Sequence, residues 1–292
     1  MDLIFAIFYI LIALSAGIFL SLVLHSYLPF LLSLIFTLFY GYSFFRKTFR
    51  RISAVRKALP ESWRRLLTER AYFYLKLPPE EKRKFENNLK IFLTDFPVRG
   101  RRGFQPSREA RILAAAGVVT LLQGHPEWEP PTPDGILIYS GERFDDDYNP
   151  GRGNITGMAP YRGPMILSEK RILEDFVIPP PPFNVVYHET AHFFDWEDGR
   201  AEGFPLNRMP PGLEEEWMEV FEDELERVSK GESILRDYAG TGPGELFAVA
   251  TEVFFTTPFS MKKHHPRLFR ILKLFYNLNP AAIFSGKSQK RL

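Results

Sequence analysis

The stretch FNVVYHETAHFFDWEDG, residues 183–199, carries the pattern His-Glu-x-x-His at His188, Glu189 and His192. Residues four apart lie on the same face of an α-helix, so the two imidazoles can converge on one metal ion. Glu189 then lies beside the open position of that ion, where a carboxylate can take a proton from water and later deliver it to a leaving amine. A helix with two chance histidines fits the same five letters, so the rest of the chain has to decide.

A third ligand distinguishes the classes of zinc hydrolase. One class places Gly three residues and His six residues after the second histidine, where this chain has Asp195 and Asp198. Another class takes a glutamate from a second helix, and the segment GTGPGELFAVATEVFF, residues 240–255, offers Glu245 near its start. Glu252 follows seven residues later on the same face, and either orients a ligand or is a capped or salt-bridged core carboxylate. Asp198 is the first alternative ligand if Glu245 does not bind.

The composition limits the chemistry that is available. The 292 residues include no cysteine, so disulfides and thiolate metal sites are excluded and any metal must be held by His, carboxylate or carbonyl groups. The formal charge of +2 is too near neutral to imply a nucleic-acid partner. An apolar share of 45% is enough for one sizeable core.

Two uncharged runs, residues 3–24 and 28–45, occupy the N-terminal region. Each is about as long as a helix needs to cross a bilayer, whereas a signal peptide has a basic start and a single shorter apolar stretch. The sequence therefore predicts a two-helix transmembrane hairpin embedded in a lipid bilayer. The turn between the runs has no lysine or arginine, and the second run is followed by Arg46, Lys47, Arg50, Arg51, Arg56 and Lys57. This asymmetry predicts a multi-pass protein of the inner (cytoplasmic) membrane whose main domain faces the cytoplasm.

The basic cluster after the second run has a functional alternative, which is binding to nucleic acid or anionic lipid. The topological explanation is sufficient, and no nucleic-acid partner is predicted.

Apolar residues at three- and four-residue spacing predict that most of the remaining chain is helical. Ser107 is a typical N-cap for the nearly all-apolar run that follows it, which indicates a buried core helix. The predicted helices are PESWRRLLTERAYFYLKL, PPEEKRKFENNLKIFLTDF, SREARILAAAGVVTLL, LEEEWMEVFEDELERV and a last pair at about 243–256 and 266–277.

Two short segments have strand composition instead, ILIY at 136–139 and PMILS at 164–168. Either one is predicted to be the edge strand along which an extended peptide pairs through its backbone. RGRR at 99–102 is predicted to be an exposed loop. These patterns predict an α+β fold that is mainly helical, with a short sheet beside the motif helix and the helix of Glu245 crossing it.

Four co-linear blocks resemble the Mlc titration factor A family, zinc metallopeptidases of the gluzincin type, in which a glutamate is the third ligand. The resemblance covers about residues 60–280. The blocks read YRGPMILS, NVVYHETAHFFDWEDGRAEGFP, YAGTGPGELFAVATEVFFTTP and HPRLFRILKLFYNLNP.

The resemblance implies that His188, His192 and Glu245 bind one zinc ion per chain and that Glu189 is the general base. It implies that Tyr238 lies at the site, where its hydroxyl can stabilise an oxyanion. It also implies hydrolysis of peptide or protein substrates, with aminopeptidase-type activity on small substrates, and binding to a transcriptional regulator.

The predicted organisation has four parts. They are a transmembrane helical hairpin at 1–45, a basic juxtamembrane linker at 46–60, a zinc metallopeptidase domain at 61–280 and a disordered tail at 281–292. The soluble relatives have no such hairpin. The binding role that the resemblance implies gives a competing hypothesis: a membrane-tethered binding protein of a transcriptional regulator, with a structural or vestigial zinc site. The intact Glu189 argues against this alternative, because a structural site needs no base and usually has a fourth protein ligand.

Overall fold

A computed structural model of the chain describes residues 2–125, 127–131, 134–141, 157–158, 163–200 and 202–286. The chain divides into two compact units, Met1–Lys57 and Ala58–Leu292. The first unit is built from helices, and the second is mainly helical with one small sheet. The prediction of a mainly helical α+β fold is therefore confirmed.

The unit Met1–Lys57 contains two helices, α1 (Asp2–Val23) and α2 (Leu28–Arg56), which pack against each other. The backbone N–H of Phe30 donates to Ser21 Oγ over 2.9 Å and ties the start of α2 to the end of α1. Among the described residues, α2 is the one helix that is long and apolar enough to cross a membrane, while Ile7–Val23 is a shorter apolar helix. Membrane crossing by both helices stays a prediction.

Helix α2 does not end where the uncharged run ends. It continues through the basic residues to Arg56, because residues 46–56 contain neither proline nor glycine and are rich in good helix formers. Most of the segment predicted as a linker at 46–60 is therefore a continuation of the helix. Pro60 then precedes the next helix.

The second unit contains most of the helices predicted from the sequence. The stretch 60–77 forms two helices rather than one, because the backbone is extended at Ala71. Residues 280–284 are helical and largely buried, so the predicted disordered tail does not begin at 281; residues 287–292 lie outside the described residues. The helices are α3 (Glu61–Arg70), α4 (Tyr72–Lys76), α5 (Pro79–Asp95), α6 (Arg108–Leu122), α7 (Glu169–Asp175), α8 (Val185–Asp195), α9 (Glu214–Ser229), α10 (Pro243–Thr256), α11 (Pro258–His264), α12 (Pro266–Phe275) and α13 (Pro280–Phe284).

The sheet contains β1 (Val98–Gly100), β2 (Ile136–Tyr139), β3 (Gly157–Met158) and β4 (Met165–Ser168). Their order across the sheet is β1-β2-β4-β3. The first three strands in this order are parallel, and β3 runs antiparallel to β4.

Both predicted strands are confirmed as β2 and β4, but neither lies at an edge. In the described part of the sheet the edges are β1 and β3, so the prediction that ILIY or PMILS is the edge strand is wrong. The predicted loop at 99–102 is also wrong in part, because Arg99 and Gly100 belong to β1 and a 3₁₀ turn follows at Arg101–Gly103. A three-residue strand is too short to give a periodic sequence pattern.

The motif helix α8 lies between the sheet side of the domain and α10, and it contacts α6, α10, β3 and β4. Close approach of α6 requires Gly117, because a Cβ at this position would lie 2.4 Å from Val186 Cγ1. The predicted cap of α6 is confirmed, since Ser107 accepts a hydrogen bond from the N–H of Ala110. These contacts bury α8 along its whole length.

Candidate metal centre

Helix α8 begins at Val185, shortly after the proline-rich segment 179–182, where continuous helix is disfavoured. Asn184 is its N-cap: the side-chain oxygen accepts hydrogen bonds from the N–H groups of Val186 and Tyr187 over 3.0 and 3.1 Å. The cap sets the register of the helix, and the helical period then directs His188 and His192 to the same side. Both imidazoles are buried, at 7% and 8% exposure.

Glu245 reaches these two histidines from the first turn of α10, which starts with Pro243. A loop from α8 supports this start. Asp195 at the end of α8 accepts hydrogen bonds from the N–H groups of Gly203 and Phe204. Gly203 has a φ of +69°, and a Cβ there would lie 2.2 Å from the carbonyl oxygen of Pro243. The loop therefore packs its backbone directly on the first turn that carries Glu245.

Three possible ligand atoms converge. His188 Nε2 and His192 Nε2 lie 3.1 and 3.3 Å from Glu245 Oε2, and the two nitrogens are 3.2 Å apart. Tetrahedral zinc with bonds of about 2.1 Å separates its ligands by about 3.4 Å. The triangle is therefore close to one face of a zinc coordination tetrahedron, which leaves the fourth corner for a non-protein ligand.

The electrostatics of this triangle fit a bound cation. Glu245 Oε2 is buried and has no hydrogen-bond partner among the described residues, although two ring nitrogens face it. Burial opposes a charge on His188, but the adjacent carboxylates of Glu245 and Glu252 outweigh it and raise the pKa of the imidazole to about 10. Burial also acts against ionisation of Glu245, yet the two histidines hold the pKa of that carboxyl far below its usual range. The site thus favours positive charge between the ligands, and a His-His-Glu set suits zinc.

Glu252 orients the first histidine from the side opposite the triangle. Its Oε1 lies 2.7 Å from His188 Nδ1, so the ring donates its Nδ1 proton and keeps the Nε2 lone pair for the metal side. Its Oε2 accepts from the N–H of Asn184 over 2.7 Å. Arg236 donates to Oε1 over 2.5 Å. Of the two alternatives drawn from the sequence, the geometry matches a carboxylate that orients a ligand, and the ion pair with Arg236 makes its burial tolerable.

Glu189 is buried next to the triangle, with 6% exposure. It accepts no hydrogen bond from the residues that the structure describes, so its lone pairs are available. Burial raises the pKa of its carboxyl, and the nearby His188 and His192 act in the opposite direction. A carboxylate with a raised pKa takes up a proton more readily than an ordinary glutamate does.

Tyr238 lies on the 3₁₀ turn Asp237–Thr241, on the outer side of the site. Its hydroxyl donates to Glu245 Oε1 over 3.1 Å, and its ring centroid is 6.0 Å from that of His188. Burial and the charge of Glu245 raise the pKa of the phenol to about 12, so it carries its proton at neutral pH. With 49% exposure the side chain forms part of the rim of the site.

The structure brings together all five residues that the sequence analysis assigned to the site. The alternative ligand Asp198 is not among them, because it lies in the 3₁₀ turn after α8 and accepts a hydrogen bond from the N–H of Arg200. Sequence reasoning missed Arg236 and Asn184. Asn184 directly before an apolar helix is a recognisable capping signal, whereas Arg236 has no local pattern that distinguishes it from a surface arginine.

Comparison with known proteins also indicates a metallopeptidase. The family described as glucose-regulated metallo-peptidase M90 matches residues 45–277. Mlc titration factor A of Escherichia fergusonii is 30% identical over 223 residues, which cover 70% of this chain and 82% of the relative. Mlc titration factor A of Klebsiella pneumoniae has the same identity and coverage. An uncharacterized protein of Synechocystis is 27% identical over 242 residues, covering 77% of this chain and 86% of the relative.

Proposed function

The chain belongs to the glucose-regulated metallo-peptidase M90 family, and from this membership and the site geometry we propose that it is a zinc-dependent peptidase. The observation that carries the proposal is the triangle of His188, His192 and Glu245, whose ligand atoms are 3.1–3.3 Å apart. These three residues would hold one zinc ion per chain. When bound, zinc supplies Lewis-acid chemistry, polarising a carbonyl and making water a competent nucleophile near neutral pH.

The residues of the chain supply proton transfer and charge stabilisation. Glu189 takes the proton from the attacking water, which its raised pKa favours, and then passes that proton to the leaving amine. Tyr238 keeps its hydroxyl proton at neutral pH and donates it as a hydrogen bond to the oxygen on which negative charge develops. Glu252 holds the His188 ring in the orientation in which Nε2 faces the metal.

The substrate, in this proposal, is an extended peptide that pairs with the outer edge of β3. This strand is at the edge of the described sheet and contacts α8, so an added strand would run past the motif helix. Aminopeptidase-type cleavage of small substrates is proposed from the family resemblance. We further propose that the protein is anchored in the inner membrane by α1 and α2, with the second unit in the cytoplasm, because the basic residues follow α2 directly.

A second function is favoured by the names of two relatives, which are Mlc titration factors. In this alternative the chain binds a transcriptional regulator, and the metal site has a structural role. The two functions differ in what Glu189 does, since a structural site has no use for a base.

The experiment compares three zinc-loaded proteins, which are wild type, Glu189→Gln and Tyr238→Phe. We expect zinc content to stay level in all three. Peptide hydrolysis should fall about 10²- to 10⁴-fold in the Glu189 variant, because the general base is lost, and less in the Tyr238 variant. A wild type that hydrolyses no member of a broad peptide library, or three equally active proteins, would contradict the enzymatic proposal and favour the binding role.

A further inference from the structure

We propose that Arg236 is a carboxylate receptor at the rim of the metal centre, so that the protein prefers substrates with a carboxylate close to the scissile bond. The inference rests on the proposed peptidase function and names a substrate class for the same site. That carboxylate is either an aspartate or glutamate side chain or the free C-terminus of a short peptide.

Arg236 contacts both the buried Glu252 and the ring of His188. Its Nη2 lies 2.5 Å from Glu252 Oε1 and 3.2 Å from His188 Nδ1, which places the guanidinium directly behind a metal-facing imidazole. The guanidinium carbon is 5.5 Å from the ring centroid of Tyr238. Arg236 therefore lies between Glu252, the buried carboxylate that orients His188, and Tyr238 at the exposed rim of the site.

Most N–H donors of the Arg236 guanidinium have no partner among the described residues. An arginine has five N–H donors, and the described contacts of Arg236 use Nη2 alone. Among the residues that the structure describes, neither Nε nor Nη1 has a hydrogen-bond partner. The side chain is 42% exposed, so a molecule bound at the rim of the site can reach the guanidinium.

The Arg236 guanidinium is held in place by an ion pair and can bind a carboxylate. Glu252 is 1% exposed and ion-paired to Arg236. This ion pair restricts the guanidinium before any substrate arrives, so the side chain loses little further conformational freedom when a substrate binds. A carboxylate accepts charge-assisted hydrogen bonds from arginine. An amide of the same shape accepts weaker hydrogen bonds, because its oxygen carries no full charge. We expect a preference for acid over amide of about tenfold, near the lower end for hydrogen bonds to charged groups, because the guanidinium is partly solvated.

The test measures binding, so that it does not depend on turnover. The probes are succinic acid monohydroxamate and the matching uncharged monoamide, which share the metal-binding hydroxamate and differ in one charge. Their Kd values are measured by calorimetry on the zinc-loaded full-length protein, with Arg236→Gln and Arg236→Lys as variants. Any damage that a substitution causes at the metal acts on both probes, and therefore cancels in the ratio of the two Kd values.

The wild type should prefer the acid about tenfold, Arg236→Gln should lose that preference, and Arg236→Lys should keep part of it. The control is Arg267→Gln, since Arg267 is similarly exposed and is paired with Glu219 and Asp223, yet has no described contact with the site. Its acid preference should equal that of the wild type.

Matched peptides then separate the two sources of the carboxylate. One pair exchanges Glu for Gln beside the scissile bond, and the other exchanges a free C-terminus for an amide. A preference in one pair alone identifies the source. Equal Kd values for both probes in the wild type, or an unchanged ratio in Arg236→Gln, overturn the proposal. If the wild type prefers the acid probe but hydrolyses no peptide, the peptidase proposal fails while the receptor survives.

Discussion

Replacement of Glu252 by glutamine tests how much this carboxylate contributes to zinc binding by orienting His188, because the two side chains have nearly the same shape. Three donors use this carboxylate: His188 and Arg236 on Oε1, and the N–H of Asn184 on Oε2. A glutamine offers one carbonyl oxygen and one NH₂ group. Whichever way the amide is turned, at least one existing donor then faces another donor.

The expected magnitude follows from these contacts. Partners that hydrogen-bond to a ligand imidazole contribute about 10- to 100-fold to metal affinity, which corresponds to about 1.4–2.7 kcal/mol. A buried donor left without an acceptor lowers the free energy of unfolding of the metal-free protein by about 1–3 kcal/mol. The lost ion pair with Arg236 adds little, because that side chain is 42% exposed and its charge is screened.

The assay is chelator competition for zinc, with urea unfolding of the metal-free proteins as a second readout. Thr251→Val is the matched control. Thr251 precedes Glu252 on α10, is fully buried, and shares a 2.8 Å hydrogen bond with the hydroxyl of Tyr276, away from the metal. Both variants should lose stability, but only Glu252→Gln should lose zinc affinity. Zinc affinity within twofold of wild type for Glu252→Gln, or equal losses in both variants, would refute the reasoning.

Three further predictions concern the metal, the loop beside it and the topology. Chelation of zinc should lower the Tm of the wild type by about 5–10 °C, because zinc at 100 times its Kd stabilises by about 2.7 kcal/mol, and His188→Ala should show no such shift. Gly203→Ala should destabilise the protein by about 1–3 kcal/mol more than Gly212→Ala, since both have positive φ but only Gly203 lies against Pro243, and equal unfolding curves would contradict the packing argument. Protease added to spheroplasts should leave residues 58–292 intact, and digestion from outside would show that the second unit faces the periplasm.

Local patterns were sufficient for the elements whose geometry depends on neighbours in the chain. Two histidines four residues apart share a helical face because of the helical period, and a serine before an apolar run caps a helix because its oxygen reaches the third N–H. The strands at 136–139 and 164–168 were predicted from β-branched and aliphatic content. Whether these two strands lie at an edge or in the centre of the sheet was not predictable. Their neighbours β1 and β3 have only three and two residues and carry no sequence pattern of their own.

The sequence by itself determined the motif helix, the residue types that can hold a metal, and the absence of thiolate chemistry. It left Glu245 and Asp198 as competing third ligands, because folding of the chain can bring either residue to the two histidines. The tertiary structure decided between their positions: α10 crosses α8 so that Glu245 Oε2 meets both Nε2 atoms, while Asp198 turns back onto the N–H of Arg200. It also brought Arg236 to Glu252 across sixteen residues of chain. Contacts of this kind depend on helix packing, which no local spacing encodes.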